Sequence, residues 1–438
     1  MARLHRERFL INQADTIKKR KSLQWQIRMK AQCIPMNNAS GKHDCARSMG
    51  YCVEPRPKDP PKLRIAIVGL GRLGGGILAD LCQQDWIGAI HCYSKSYGDD
   101  YEELEADLCF AVRRPYFHCS LESALSLGTD LLIISTGPAI RNFRKYRNRQ
   151  KILSRLYLEG AAKVSPIFRA VAEIKYSGLI SILTNPPGAH LSAAFKHFDI
   201  DPARLTSFPP DLVRARWLLT RVLKNFCLLK GFALPVTSQP LLARDFTGFL
   251  HHRDTNGQNS TVVAGLASQD VDLPVIGEHG SEIPLLGQCR VGGVQLGDIH
   301  PIFLSPDFVE EFTRALRAIG HSLMVALEKR GGGYYTAPKA AVKMIKQCAL
   351  AATGQIESAD EYVYTYVQDL DAFLSVPARI TGPPLRVCAS PEFSLLGLPY
   401  RVREELNVQA EAQRQFLLTK ESQTVEFLEH ERQPVGSR

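Results

Sequence analysis

The sequence predicts an α/β protein, in which a doubly wound parallel sheet precedes an α+β domain. Three observations favour this fold class. The chain has 438 residues, enough for two domains. Hydrophobic residues make up 45% of it, which excludes global disorder. Between residues 63 and 190, short apolar runs alternate with stretches compatible with helix, as in sheets wound with crossover helices.

The first predicted strand is "LRIAIVGL" (63–70), a continuous apolar run typical of a strand buried on both faces. The next segment, "GRLGGGILADLCQQ", has apolar residues at helical spacing. Three further apolar runs, "GAIHCYS", "TDLLIIST" and "GLISILTN", predict the following strands.

The turn after the first strand contains Gly69, Gly71 and Gly74 in the spacing G-x-G-x-x-G. After a strand and before a helix, this spacing is typical of a Rossmann-type dinucleotide site. Gly69 permits the tight turn, Gly71 lets the backbone approach a pyrophosphate, and Gly74 allows close helix–strand contact. The alternative is a tight turn without a ligand.

An acidic residue at the end of the second strand would bind the ribose hydroxyls of NAD. Here Ser94, Lys95 and Ser96 occupy that region. A cation flanked by hydroxyl groups suits a 2′-phosphate, so the sequence favours NADP over NAD as cofactor. Alternatively, the acidic residue was lost together with the cofactor.

The composition along the whole chain predicts four segments. We expect a basic arm with a proline-rich linker over 1–60, a dinucleotide-binding domain over 61–190 and a second domain over 191–412. An insertion around 230–270 includes the polar "HHRDTNGQNS" (251–260), and a polar tail covers 413–438.

The segment "LPVIGEHGSEIP" (273–284) predicts a short buried strand that ends in a turn carrying His279. A single histidine is more often structural than catalytic. A catalytic role for His279 therefore depends on partners elsewhere in the chain.

Those partners lie in motifs through which residues 63–412 resemble the lactate/malate dehydrogenase family. In family order, the chain has the Gly69–Gly74 turn, "TNPPG" (184–188), "PPDLVRARWLL" (209–219) and "GEHGSEIP" (277–284). The segments "GGGYYTAPKAAV" and "DAFLSVPARITG" are similar to the family's last helix start and final strands.

The resemblance implies a malate- or lactate-type dehydrogenase that acts on a small 2-hydroxy or 2-keto acid. His279 would exchange a proton with the substrate hydroxyl, and Asp211 would orient its imidazole. Arg214 would bind the substrate carboxylate through two hydrogen bonds. Asn185 would bond near the reacting oxygen and the cofactor.

The family also has an arginine-bearing loop, which the chain matches with "PAIRNFRKYRNRQKILSRLYL" (138–158). Arg155 fits the arginine that polarises the substrate carbonyl. Arg141 lies near the selectivity position, where arginine implies a second carboxylate and a malate-type substrate. If Ile140 occupies that position instead, the substrate is apolar there.

Several departures from the family pattern favour an alternative function. Family members have Asn-Pro-Val-Asp where this chain has "TNPPG", and Tyr334 stands where lactate dehydrogenases have a small hydroxyl residue. The connection between Arg214 and His279 is longer than in the family. The alternative is a catalytically silent dehydrogenase fold that binds a nucleotide or a partner protein.

The formal net charge is +10, and basic residues cluster in the arm, including "KKRK" (18–21). This arm could direct the chain to mitochondria or the nucleus, although a cytoplasmic, soluble protein is the expectation. Nucleic-acid binding is disfavoured because the arm has few aromatic residues. We expect no membrane span, no metal site, free cysteines and a homo-oligomer.

Overall fold

The computed structural model describes residues 62–94, 116–137, 149–230, 266–326 and 336–431. All of them lie in one compact unit, Pro60–Arg438. The predicted arm and the centre of the predicted insertion lie outside the described residues. The boundaries of the four predicted segments stay predictions.

The N-terminal part of this unit is a six-stranded sheet in which every pairing is parallel. Its strand order, β3-β2-β1-β4-β5-β6, is that of a doubly wound dinucleotide-binding fold, so the predicted fold class is confirmed. The strands are β1 (Leu63–Val68), β2 (Ile87–Tyr93), β3 (Tyr116–His118), β4 (Leu131–Ile134), β5 (Leu179–Ile182) and β6 (Leu205–Thr206).

Helices cover both faces of this sheet. The first four are α1 (Arg72–Leu81), α2 (Leu121–Ser126), α3 (Arg149–Glu173) and α4 (Pro187–Phe198). In β1, Ile65 and Ile67 pack into the core that contains α1, whereas Ala66 and Val68 pack into the core that contains the other three helices. Burial on both faces explains why every position of this strand except the exposed Arg64 is apolar.

The C-terminal part of the unit is α+β, as predicted. Its helices are α5 (Asp211–Lys230), α6 (Leu296–Ile299), α7 (Pro306–Ala326), α8 (Thr336–Ala352) and α9 (Tyr400–Glu431). Its short strands are β7 (Val271–Asp272), β8 (Val275–Ile276), β9 (Ile283–Pro284), β10 (Arg290–Val291) and β11 (Val294–Gln295). Its longer strands, β12 (Ser358–Val367), β13 (Ala372–Thr381) and β14 (Arg386–Ala389), form an antiparallel sheet.

Two isolated bridges join the pieces of this unit near the predicted site. Ser207, just after β6, pairs with Tyr364 of β12. Gly277, just after β8, pairs with Ser375 of β13, with N–O distances of 2.8 Å and 3.2 Å. The turn that carries His279 is therefore attached directly to the long antiparallel sheet.

The predicted free thiols are confirmed where the structure describes them. Cys82, Cys92 and Cys348 are buried and form no disulfide. Burial raises the pKa of Cys348 to about 12, so this thiol is unreactive at neutral pH. Among the described helices, none combines the length and apolar character needed to cross a bilayer.

Candidate active site

The turn that carries His279 is shaped by two glycines. Gly277 has φ +100° and Gly280 has φ +82°, conformations that other residues rarely adopt. A Cβ on Gly277 would also lie 2.6 Å from Oε1 of Gln409. The chain can therefore turn directly after β8 and bring His279 back towards the start of α5.

His279 meets Asp211 there. Its Nδ1 lies 2.6 Å from Oδ2 of Asp211, the first residue of α5. Burial by itself would lower the pKa of His279, but the charge and hydrogen bond of Asp211 outweigh it, and the pKa is raised. Burial would raise the pKa of Asp211, but the charge and bond of His279 outweigh it, and that pKa is lowered. The pair thus favours an imidazolium beside a carboxylate.

Arg214 completes this group from one turn further along α5. Its Nη1 lies 3.3 Å from Oδ1 of Asp211. Its Nε is buried and has no hydrogen-bond partner among the described residues. Leaving a buried donor without a partner costs about 1–3 kcal/mol of stability. This guanidinium is therefore suited to bind a carboxylate ligand by donating a hydrogen bond to it.

Asn185 lies three residues after the end of β5 and is followed by Pro186, the N-cap of α4. Two residues further, the backbone N–H of Gly188 donates a hydrogen bond to Glu278, the neighbour of His279. The start of α4 therefore packs against the histidine turn, and Asn185 lies in the segment that joins the carboxyl end of β5 to this helix.

The sequence analysis did not identify the residues that support this turn. Glu278 accepts a hydrogen bond from the Tyr364 hydroxyl at 3.2 Å and one from Gln413 at 2.9 Å. Tyr364 also accepts one from the backbone N–H of His279 at 2.5 Å. Gln409 accepts from the N–H of Glu278 at 2.7 Å. Burial raises the pKa of Glu278 to about 7.

Of these residues, only Glu278 had a sequence signal, because it directly precedes His279 in the segment 273–284. Gln409 and Gln413 lie one helical turn apart on α9, in a segment whose sequence is polar and typical of a helix. Nothing local distinguishes them from solvent-exposed glutamines.

The glycine turn after β1 has the geometry that its spacing predicts. Gly69 has φ +94°, and a Cβ there would lie 2.7 Å from the backbone N of Thr136. A Cβ on Gly74 would lie 1.9 Å from the Gly69 carbonyl oxygen, so this position needs glycine for close packing. A Cβ on Gly71 would meet no atom within 4 Å.

Open space at Gly71 is what an anion needs at this helix end. Gly71 is the N-cap of α1, no side chain caps the helix, and its first turn has no acidic residue. Uncapped N–H groups and the positive end of the helix dipole bind phosphate groups. These residues therefore fit the pyrophosphate of a dinucleotide.

Alanine substitutions should separate the two glycines. Gly74→Ala is expected to destabilise the fold by about 1–3 kcal/mol because the backbone must move to admit the methyl group. Gly71→Ala should cost less than about 1 kcal/mol but weaken dinucleotide binding about tenfold or more, because the methyl group blocks close approach. Thermal denaturation and nicotinamide fluorescence measure the two effects. Equal dinucleotide affinity in Gly71→Ala and the unaltered chain would exclude an anion site here.

Several predicted residues cannot be placed. Ser94 is buried at the end of β2, whereas Lys95, Ser96, Arg141 and Tyr334 lie outside the described residues. Arg155 belongs to α3, but its side chain is not described. The predictions of NADP preference and of a malate-type substrate are therefore untested by the site's geometry.

Asp211, His279 and Glu282 also form a donor set with ligand atoms within 4.8 Å of one another. Two atoms that bind one zinc ion at about 2.0–2.1 Å in tetrahedral geometry stand about 3.3 Å apart. The 2.6 Å between His279 and Asp211 is instead a hydrogen-bond length. The geometry favours a proton between them, and the prediction of no metal site stays a prediction.

Part of the C-terminal half of the chain is similar to a known domain family. Residues 259–391 match the family model for the lactate/malate dehydrogenase α/β C-terminal domain. No curated protein sequence matches the chain.

The fold is similar to that of several solved structures. Malate dehydrogenase from Cryptosporidium parvum aligns with a TM-score of 0.61 at 18% identity, over 83% of this chain and all of the other. Malate dehydrogenase from Aeropyrum pernix gives 0.58 at 17% identity, over 81% and 97% of the two chains. The minor L-lactate dehydrogenase from Enterococcus mundtii gives 0.57 at 15% identity, over 82% and 98%.

These matches confirm the resemblance predicted from the ordered motifs. The fold shared with these structures is a parallel dinucleotide-type sheet followed by an α/β domain.

Proposed function

Since the chain has the fold of lactate and malate dehydrogenases and the C-terminal domain of that family, we propose that it is a nicotinamide-dependent 2-hydroxy acid dehydrogenase. The observation that carries this proposal is the His279–Asp211 pair, bonded at 2.6 Å, with Arg214 one turn along the same helix. This arrangement provides a proton donor and a carboxylate-binding cation at adjacent positions.

In this proposal, His279 gives its proton to the substrate oxygen when the 2-keto acid is reduced and takes it back when the 2-hydroxy acid is oxidised. Asp211 bonds Nδ1, which leaves Nε2 to face the substrate. Because Asp211 raises the pKa of His279, the protonated form needed for reduction persists above the ordinary range of histidine.

Arg214 fixes the substrate carboxylate, and Asn185 donates a hydrogen bond near the reacting oxygen. Gly69, Gly71 and Gly74 would hold the dinucleotide pyrophosphate against the N-terminus of α1. When bound, the nicotinamide supplies or accepts the hydride. The protein's own residues align the reactants and transfer the proton.

Finer assignments belong to the same proposal. Ser94, Lys95 and Ser96 favour NADP over NAD, and Arg141 favours oxaloacetate and malate over pyruvate and lactate. A homo-oligomer in the cytoplasm remains the expected state, with mitochondrial or nuclear targeting through the basic arm as the alternatives. Each of these assignments is separable from the dehydrogenase reaction itself.

The test is a titration of the full chain with NADPH and with NADH, followed by nicotinamide fluorescence. Oxaloacetate and pyruvate are then added separately. Oxidation of either cofactor by either keto acid supports the dehydrogenase, and the preferred pair decides the finer assignments.

The second candidate is a silent dehydrogenase fold that acts through binding. Its supporting observation is the departure of "TNPPG" from the family motif. Cofactor binding without turnover of any 2-keto acid would favour it, and absence of cofactor binding at millimolar concentration would overturn the proposed enzyme.

A further inference from the structure

Glu282 is a buried carboxyl group that the reaction described above does not use. Only 5% of the residue is exposed. Its Oε1 accepts a hydrogen bond from the backbone N–H of Gly280 at 2.5 Å and lies 3.6 Å from Nδ1 of His279. Its backbone carbonyl accepts a hydrogen bond from Nε of Arg317 at 3.0 Å. Both ends of the residue are therefore fixed beside the histidine.

The second carboxyl oxygen of Glu282 has no donor. Oε2 is buried and lacks a hydrogen-bond partner among the described residues. A buried acceptor without a donor is costly, and two buried carboxylates beside one imidazole repel each other. Both problems disappear if Oε2 itself carries a proton and donates it to Asp211, because ligand oxygens of the two carboxyl groups lie within 4.8 Å of each other.

On the basis of the proposed function, we propose that Glu282 is a positioning residue, which steadies the Asp211 carboxylate through a shared proton and thereby controls proton transfer at His279. Asp211 then has three partners: the imidazole, the Arg214 guanidinium and the Glu282 carboxyl group. In carboxyl pairs of this kind, the proton belongs to the pair rather than to one residue.

Charged and titratable groups from five elements surround the turn that carries His279. They are Asp211 and Arg214 from α5, Glu278 and Glu282 from its own turn, Tyr364 from β12, and Arg317 with its partner Glu405 behind the turn. Glu278 has its own donors in Tyr364 and Gln413. Glu282 differs because Oε2 has no donor in the part of the chain that the structure describes.

The protonation state of Glu282 then affects His279 directly. Burial, followed by the charge of Asp211, raises the pKa of Glu282 to about 7. Below this pH Glu282 is neutral and donates to Asp211. Above it, Glu282 carries a second negative charge 3.6 Å from Nδ1, and this charge raises the pKa of His279 further. His279 should therefore titrate in two coupled steps rather than one.

Glu282→Gln tests this inference with little change in shape. The amide oxygen still accepts from Gly280, and the amide N–H still donates to Asp211, so the variant mimics the protonated acid. We expect a single-step titration of His279, with its midpoint lowered by about one pH unit, because a nearby opposite charge commonly shifts a histidine by that much.

The measurement is an NMR titration of the imidazole resonances of the full chain. Among the 12 histidines, the resonance of His279 is assigned by its loss in His279→Gln. Asp272→Asn is the matched control, because Asp272 pairs with Arg216 at 2.8 Å and does not contact His279. It should leave the titration unchanged.

This titration needs no enzymatic activity, so it separates the two proposals. If no keto acid is reduced but His279 shows two steps that Glu282→Gln reduces to one, the proposed function fails and the role of Glu282 stands. A one-step titration in the unaltered chain overturns that role, even if Glu282→Gln does not fold.

If the enzyme is active, the pH profile of kcat/KM for keto-acid reduction provides a second readout. Glu282→Gln should move its alkaline limb to lower pH by the same interval, with kcat below pH 6 within about twofold of the unaltered chain. A uniform loss at every pH, with the limb unmoved, indicates a purely structural residue and contradicts the proposal.

Discussion

Replacement of His279 by asparagine is expected to lower kcat for keto-acid reduction by about 10²–10⁴-fold, the usual contribution of a positioned general acid. Asparagine fills similar space and can bond Asp211, but it has no proton to give at neutral pH. Dinucleotide binding should change little, because the glycine turn lies at a different strand end. Stopped-flow oxidation of the nicotinamide measures the rate, and fluorescence titration measures affinity.

The pH dependence provides the internal control for this variant. In the unaltered chain, reduction should be fast at low pH and slow down as the pH rises through the pKa of His279, which lies above its ordinary 6.5. Oxidation of the hydroxy acid should respond in the opposite direction, since it needs the neutral imidazole. His279→Asn should remove both limbs. Unchanged limbs would assign the titration to another group.

Arg214→Lys is expected to reduce kcat/KM by about 10–100-fold, mainly through a higher KM. Lysine keeps the positive charge beside Asp211 but cannot form two parallel bonds to a carboxylate. Loss of one charged hydrogen bond costs about 1.5–3 kcal/mol, and 1.4 kcal/mol corresponds to tenfold. Steady-state kinetics with varied keto acid measures the effect.

Arg216→Lys is the matched control for this substitution. Arg216 lies on the same helix and also has a buried Nε, but its Nη2 bonds Asp272 rather than facing the histidine pair. We expect kcat/KM to remain within about twofold. Equal losses in both variants would trace the effect to the packing of α5 and remove Arg214 from the substrate site.

Much of the fold could be predicted because its determinants are local in sequence. The strand β1 is apolar at every buried position, and the helix after it begins within the glycine turn, so period and composition identify both. The strands β3 and β6 have three and two residues. Segments this short have no measurable period, and only their pairing with longer neighbours makes them strands.

Within the candidate site, motif order identified Asp211, Arg214 and His279, and the structure brings them together. The arrangement behind them was not predictable. Gln409 and Gln413 contact the turn although they lie more than 100 positions away in sequence. The residues that neighbour them in sequence do not distinguish a glutamine bonded to a buried carboxylate from one exposed to solvent.

The sequence by itself determined the fold class of this protein: the parallel sheet, the glycine turn and the residue types of the candidate site. These features follow from periodicity and backbone requirements, which act over a few neighbouring residues. The tertiary structure decided which carboxyl groups share the space around His279. Desolvation and charge coupling depend on distance in space, so the raised pKa values of Glu282 and Glu278 arise only when the turn, α5 and α9 pack together.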